Sequence, residues 1–203
     1  MTDPLLKYRE QHKHRLNYMP WLYWSLKPKH REWAEQWQAE YQAYLLEMET
    51  VEIGENCFIS PLAHIFAERG RKISIGDNTF IAADCTLHGP LQIGSEVAIN
   101  HHCILDGGRA GIKLHDQVRI AAYSHLYAFD HGMDLERPIY QQAVTSKGIE
   151  IGQDVWLGAH VGIKDGVKIG DHAVIGMNSM VTKDIDKHAI VAGNPARLIR
   201  YRK

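Results

Sequence analysis

Cysteine is scarce in this chain. There are three, Cys57, Cys85 and Cys103, an odd number with no CxxC spacing, which gives no basis for a disulfide framework. Charge of one sign is missing too. The chain carries 23 basic and 24 acidic residues, for a net charge of −1. Bulk charge therefore gives no reason to expect nucleic acid or an anionic membrane as partner. Long apolar runs are absent: none reaches the roughly 20 residues that cross a bilayer. The polar N-terminus does not read as a signal peptide, so the expected compartment is the cytoplasm.

What the chain has instead is a period of six. From Ile151 every sixth residue is aliphatic: Ile151, Leu157, Ile163, Ile169, Ile175, Val181. The same comb appears earlier as Ile53, Ile59, Ile65; as Ile75, Ile81, Leu87, Ile93, Ile99, Leu105; and as Leu114, Ile120, Leu126. A helix does not repeat every six residues, and a plain strand wants unbroken alternation. Hexads of this kind predict a parallel β-helix, in which three hexads make one coil of a triangular prism. The tooth of each hexad points inward. Four residues later stands a small or β-branched residue, such as Ala63, Thr79, Val97, Ser124 or Ala173, expected to let the chain turn the corner. All three cysteines hold that position, which predicts packed free thiols.

Taken in threes, the teeth give six coils, starting at Ile53, Ile75, Ile93, Leu114, Ile151 and Ile169. The spacing departs from six only between coils: 10 from Ile65 to Ile75, 9 from Leu105 to Leu114 and 25 from Leu126 to Ile151. Every insertion should leave the prism at one corner, on the surface where loops carry function. The longest, about residues 127–150, contains His131. The expected organisation is a helical segment over residues 1–50, the prism over 51–185 and a closing segment over 186–203.

Residues 1–50 lack the comb and hold Trp21, Trp24, Trp33 and Trp37. Trp33, Trp37, Tyr41, Tyr44, Leu45 and Met48 recur at helical spacing, and a helix near Leu5–Leu16 is also expected, with Pro20 and Pro28 interrupting. This segment reads either as a cap over the open end of the prism or against a neighbouring subunit, or as an aromatic platform for an acceptor.

The comb, the run IGQDVWLGAHVGI, the run VIGMNSMVTKDI and the closing VAGNPARLIR together resemble hexapeptide-repeat acyltransferases. The nearest likeness is to the maltose, galactoside and nodulation-type O-acetyltransferases and to those acting on surface polysaccharides. It covers about residues 51–200 and not the N-terminal segment. The resemblance implies a left-handed coil, a homotrimer with active sites between subunits, and acetyl-CoA as cosubstrate with no metal. It places the catalytic histidine at His131 in DHGMDLERP, its paired asparagine at Asn100, and an acidic acceptor residue at Asp106. Coenzyme A would contact Trp156, Ala159, Met177, Thr182, Lys183, Arg197 and Arg200.

The chemistry agrees with these residue types. Transfer of acetyl to a hydroxyl needs a base, donors for an oxyanion and a long donor site. An imidazole, with an ordinary pKa of about 6.5, serves as base near neutral pH. An asparagine amide and backbone N–H groups serve the oxyanion, and lysine and arginine pair with phosphates. No acyl-enzyme is required. Two other readings use the same prism. One is a zinc enzyme like the gamma-class carbonic anhydrases, drawing on His101, His102, His125 and His131. The other is a non-catalytic scaffold.

Overall fold

The computed structural model describes residues 4–203. Its body is a prism of three parallel sheets. The first wall stacks Val51–Ile53, Ile73–Ile75, Leu91–Ile93, Ile112–Leu114, Ile149–Ile151 and Lys168–Ile169. The second runs from Phe58–Ile59 through Val174–Ile175 to Ala189–Ala192, with Arg197–Tyr201 added antiparallel at its end, and the third from His64–Phe66 to Met180–Val181. Each tooth pairs with the tooth of the next coil: Ile53 with Ile75, Ile59 with Ile81, Ile65 with Leu87. The teeth form one continuous buried column, with Ile59, Ile81, Leu87, Ile99, Leu105, Ile120 and Leu126 fully closed to solvent. Six complete coils stand as the spacing requires, and the insertions all fall between the third wall and the first. The comb also runs further than its most regular teeth: Ile185 bridges Ile169 and Val191 pairs with Ile175, beginning a partial seventh coil.

The corner works differently from the expectation. The chain turns three residues after a tooth, not four, at residues with left-handed backbone such as Asn56, Asn78, Asp84, His102, Tyr123, His160, His172 and Asn178 (φ 54 to 63° among them). Asn and Asp tolerate that conformation best among residues with side chains. The small residue that follows is buried just inside the corner, and where it is Cys, Thr or Ser its polar atom caps the next coil. Cys57 donates to the Gly76 carbonyl at 3.1 Å, Thr79 to Gly94 at 2.9 Å, Cys85 to Asn100 at 3.0 Å and Ser124 to Gly158 at 3.0 Å. The three cysteines are buried and unpaired, as expected. A hydrogen bond with Cys103, then burial, pushes the Cys85 thiol up, and burial does the same for Cys57. The same bond with Cys85 lowers the Cys103 thiol instead, but all three are buried, and their place is that of packing groups rather than exposed nucleophiles.

Two helices precede the prism, α1 (Pro4–Tyr18) and α2 (Pro28–Met48), joined through a short 3-10 turn, Pro20–Ser25. Pro28 begins α2, where a missing N–H costs nothing. The buried face of α2 is Ala34, Gln38 and Leu45, not the tryptophan stripe. Close approach to the prism needs a small residue at Ala34 and an amide at Gln38. Trp33 and Trp37 flank this face, half-buried, against Phe58 and its neighbours on the outside of the second wall.

Gln38 has a particular task. The Phe58–Ile59 strand is the edge of its sheet, with no coil before it. The Gln38 side chain donates to the Ile59 carbonyl at 3.1 Å and accepts from the Ile59 N–H at 2.8 Å, as a neighbouring strand would. Gln42 donates to the Cys57 carbonyl at 2.9 Å, and the Glu49 carboxylate accepts from Ala67 N–H at 2.8 Å. The helix therefore closes the open edge of the first coil. Gln38→Leu keeps the size of the side chain but leaves a buried N–H and a buried C=O unsatisfied. It should destabilise the chain by about 2–4 kcal/mol, read by urea unfolding; a loss below about 0.5 kcal/mol would refute the capping role.

Candidate active site

The long insertion is a hairpin, not an irregular loop. Asp130–His131 pairs antiparallel with Val144–Thr145. At its tip, the Gln142 amide accepts from Asp134 N–H at 2.9 Å and donates to the Asp134 and Arg137 carbonyls at 2.8 and 2.7 Å. The foot is pinned to the prism at two points. The buried Asp165 carboxylate accepts from the N–H groups of Lys147 and Gly148, each at 2.9 Å. The Ser146 hydroxyl donates to the Ala128 carbonyl at 2.5 Å and accepts from Arg109 and Ala110 N–H at 3.0 and 2.9 Å. His131 is exposed on this arm, its ring 6.2 Å from that of Phe129. Beside it, Asp130 pairs with Lys164 at 3.2 Å.

Asp106 lies at the foot of the same hairpin. It shares a cavity of about 280 Å³ with Arg71, His88, Arg109, Phe129 and Val144. Its carboxylate accepts from Gly108 N–H at 3.0 Å and stands 3.4 Å from His88 Nδ1 and 3.9 Å from Arg71. Phe129 both lines this cavity and faces the His131 ring, so the structure brings Asp106 and His131 to one corner. Arg71 and His88 went unnoticed in the sequence. The one available signal was that His88 occupies, one coil earlier, the register position of Asp106.

Asn100 is elsewhere, at the corner between the second and third walls. Its amide donates to the Ile120 carbonyl at 2.9 Å. Further down this corner lie Ala159 and Met177, stacked through the bond from Asn178 N–H to the Ala159 carbonyl at 2.9 Å. Gly158 permits that stacking, since a Cβ there would fall 2.6 Å from the Met177 nitrogen. The same corner carries rings at the turning positions: Tyr123 stacks on His160 at 4.9 Å and packs, tilted, against His102 at 4.7 Å. These three share the place three residues after a tooth, a regularity visible in the sequence. His125 stands exposed on the outer face of the third wall, outside both clusters.

Trp156 is half exposed on the outside of the second wall, and its cross-strand row continues through Val174 and Ile190 to Arg200. Thr182, Lys183 and Arg197 line a cavity of about 320 Å³ beside the final strand, Arg197–Tyr201. These residues thus form a band around the last two coils. Among the described residues, no three His, Cys, Asp or Glu side chains converge within one chain as a metal site would require, and no helix is long and apolar enough to cross a membrane.

Comparison with known proteins places this geometry. Residues 148–183 match the family model described as "Bacterial transferase hexapeptide (six repeats)". The chain is 31% identical over 165 residues to the galactoside O-acetyltransferase of Escherichia coli, covering 80% of this chain and 70% of that one. The chain belongs to the hexapeptide-repeat acyltransferase family. Among solved structures it is similar to AntD, an N-acyltransferase from Bacillus cereus, a mutant of which was crystallised with dTDP and coenzyme A. The TM-score is 0.72 at 32% identity, over 80% of this chain and 90% of that one. It is also 31% identical over 137 residues to a probable acetyltransferase of Mycobacterium tuberculosis, of whose length it spans only 44%.

Asp165 tests whether the hairpin is held as described. Asp165→Ala should free the return strand, raising amide exchange over residues 130–148 by at least about tenfold while leaving the prism strands protected. Unchanged exchange there would show that the carboxylate does not anchor the arm.

Proposed function

We propose that this hexapeptide acyltransferase moves an acetyl group from acetyl-CoA to a hydroxyl of a sugar or related small acceptor. The observation that carries the reading is the hairpin, which holds an exposed imidazole off a rigid prism at the corner it shares with Asp106. Asn100, Ala159 and Met177 lie at the neighbouring corner, Trp156 and Arg200 on the second wall, and Thr182, Lys183 and Arg197 beside the final strand. A threefold ring of copies would set the His131 arm of one protomer against the Asn100 corner of the next, which is the arrangement the family resemblance implies.

In such a site His131 takes the proton from the acceptor hydroxyl as its oxygen attacks the thioester carbonyl. The Asn100 amide has a second N–H beyond the one given to Ile120, and it donates to the oxygen that gains negative charge. When the tetrahedral adduct collapses, the carbon–sulfur bond breaks. The coenzyme leaves as thiolate and recovers the proton from the imidazolium. Asp106, held by Gly108, His88 and Arg71, orients the acceptor. Lys183, Arg197 and Arg200 balance the phosphates of the coenzyme, Thr182 adds a hydroxyl contact, and Trp156, Ala159 and Met177 line its length. The hydroxyl is preferred to an amine as acceptor because the galactoside enzyme this chain resembles is an O-acetyltransferase. A thiol-release assay against a panel of glycosides and amino sugars tests that preference directly.

His131→Ala should lower turnover by about 10²–10⁴-fold while acetyl-CoA still raises the unfolding temperature. Near-normal turnover would remove His131 from the mechanism. Lack of any acetyl-CoA effect on wild-type stability would instead favour the scaffold reading. Arg197→Ala should weaken coenzyme A binding about tenfold or more in a calorimetric titration; an unchanged affinity would take that guanidinium out of the donor site.

A further inference from the structure

The helical segment carries an asymmetry that the transferase reading does not use. Over residues 4–31, seven Lys and Arg face one acid, Glu10; over residues 32–50 there are five Glu and no Lys or Arg. The structure gathers much of that positive charge into a groove between α1 and the start of α2. Two adjoining cavities of about 480 and 390 Å³ share His12, Lys29 and His30 as a common wall. Both volumes are in the range of small-molecule sites. Every charged side chain lining them is basic or imidazole: Arg9, His12, Arg15, Lys27, Lys29 and His30.

These cations are not spent on carboxylates. Among the described residues, the ion pairs of this segment are Lys13 with Glu10 and Arg31 with Glu35. None involves Arg9, Arg15, Lys27 or Lys29. Arg9 instead lies over the face of Trp33, 5.8 Å from the ring centroid, and His12 and His30 approach with ring centroids 4.6 Å apart. Burial, then the neighbouring His30 and Arg15, lower the His12 pKa, as uncompensated positive charge requires. Trp33 and Tyr8 add aromatic walls. The groove is concave, aromatic and cationic, which suits a sugar ring bearing negative charge.

Its position ties it to the acceptor side of the enzyme. The C-terminal turn of α1 abuts the corner that holds Asn100: Tyr18 donates to the Asp84 carboxylate at 2.9 Å, and its ring lies 5.9 Å from that of His101. From Arg9 to Tyr18 the helix rises about 14 Å, the scale of a short oligosaccharide. We propose that the α1–α2 groove holds an acidic saccharide, bearing carboxylate or phosphate, and presents its far end to the Asn100 corner. The proposal rests on the acyltransferase reading for the fate of that end, but the binding itself can be measured alone.

The full chain is titrated with tetragalacturonate, with UDP-glucose, with neutral maltotetraose and with phosphatidylglycerol vesicles. At least one of the two anionic saccharides should bind, and which one does identifies the charged group; maltotetraose should not. Reversing one cation, in Arg15→Glu or Lys29→Glu, should weaken that binding about tenfold each, and Lys29→Arg should restore it. The milder Lys29→Gln replaces any charge-reversed variant that does not fold. Failure of both anionic saccharides to bind, equal binding by the variants, or binding to vesicles alone would overturn the proposal. Stabilisation by acetyl-CoA, read in the same samples, should persist in every folded variant. Its absence in the wild type would sink the transferase reading and leave the groove measurement standing.

Discussion

One constraint organises the molecule: an aliphatic side chain must sit on the one below it at every coil and on every wall. Neighbouring strands of a sheet are about 4.8 Å apart, close to the contact distance of stacked methyl groups. Backbone hydrogen bonds and side-chain packing therefore ask for the same spacing, and the column meets both. A coil with one extra residue in a wall would turn that tooth outward. Insertions are confined to the corner between the third and first walls, where the register has already been met and is set afresh by the next tooth.

A column of this kind has two open ends, and the chain closes them by different means. At the start, Gln38 imitates a strand with one amide, and Gln42 and Glu49 take neighbouring backbone groups. At the finish, Ala189–Ala192 is covered by the antiparallel strand Arg197–Tyr201. Both devices answer the hazard of an unpaired edge. The second also carries Arg197 and Arg200, two of the residues proposed to meet the donor.

The stiffness of the prism is what makes a projecting arm useful. His131 stands on a two-residue strand whose foot is fixed by Asp165 and Ser146, groups anchored in or against the coils. Asp106 and Phe129 are set by the coils and by the hairpin foot respectively, and they meet there. Asn100, with Ala159 and Met177, stands at another corner. Division of one site between two corners is intelligible if copies of the chain assemble around an axis, each lending an arm to the next.

Much of the architecture could be read from residue order because it is periodic. A buried tooth every six residues is a local requirement repeated many times, so the number of coils, the membership of each wall and the corner of the insertions follow from counting. The hairpin was visible only as an insertion holding His131; its strand pairing and its anchors depend on Asp165, Ser146 and Gln142 meeting groups that no period links to them. Left-handed corners at the third residue after most first- and second-wall teeth were present in the spacing of Asn56, Asn78 and His102, but an aliphatic comb does not report backbone angles. The helical row of aromatics located α2 and does pack half-buried, but its spacing did not single out Ala34 and Gln38, which close docking buries most. Tertiary contact alone decided that Arg71 and His88 flank Asp106, that Asn100 and His131 stand at different corners, and that unpaired cations of two helices line one groove. The physical reason is that a period specifies which side chains are buried, while the meeting of unlike elements depends on shape and charge at surfaces the period does not describe.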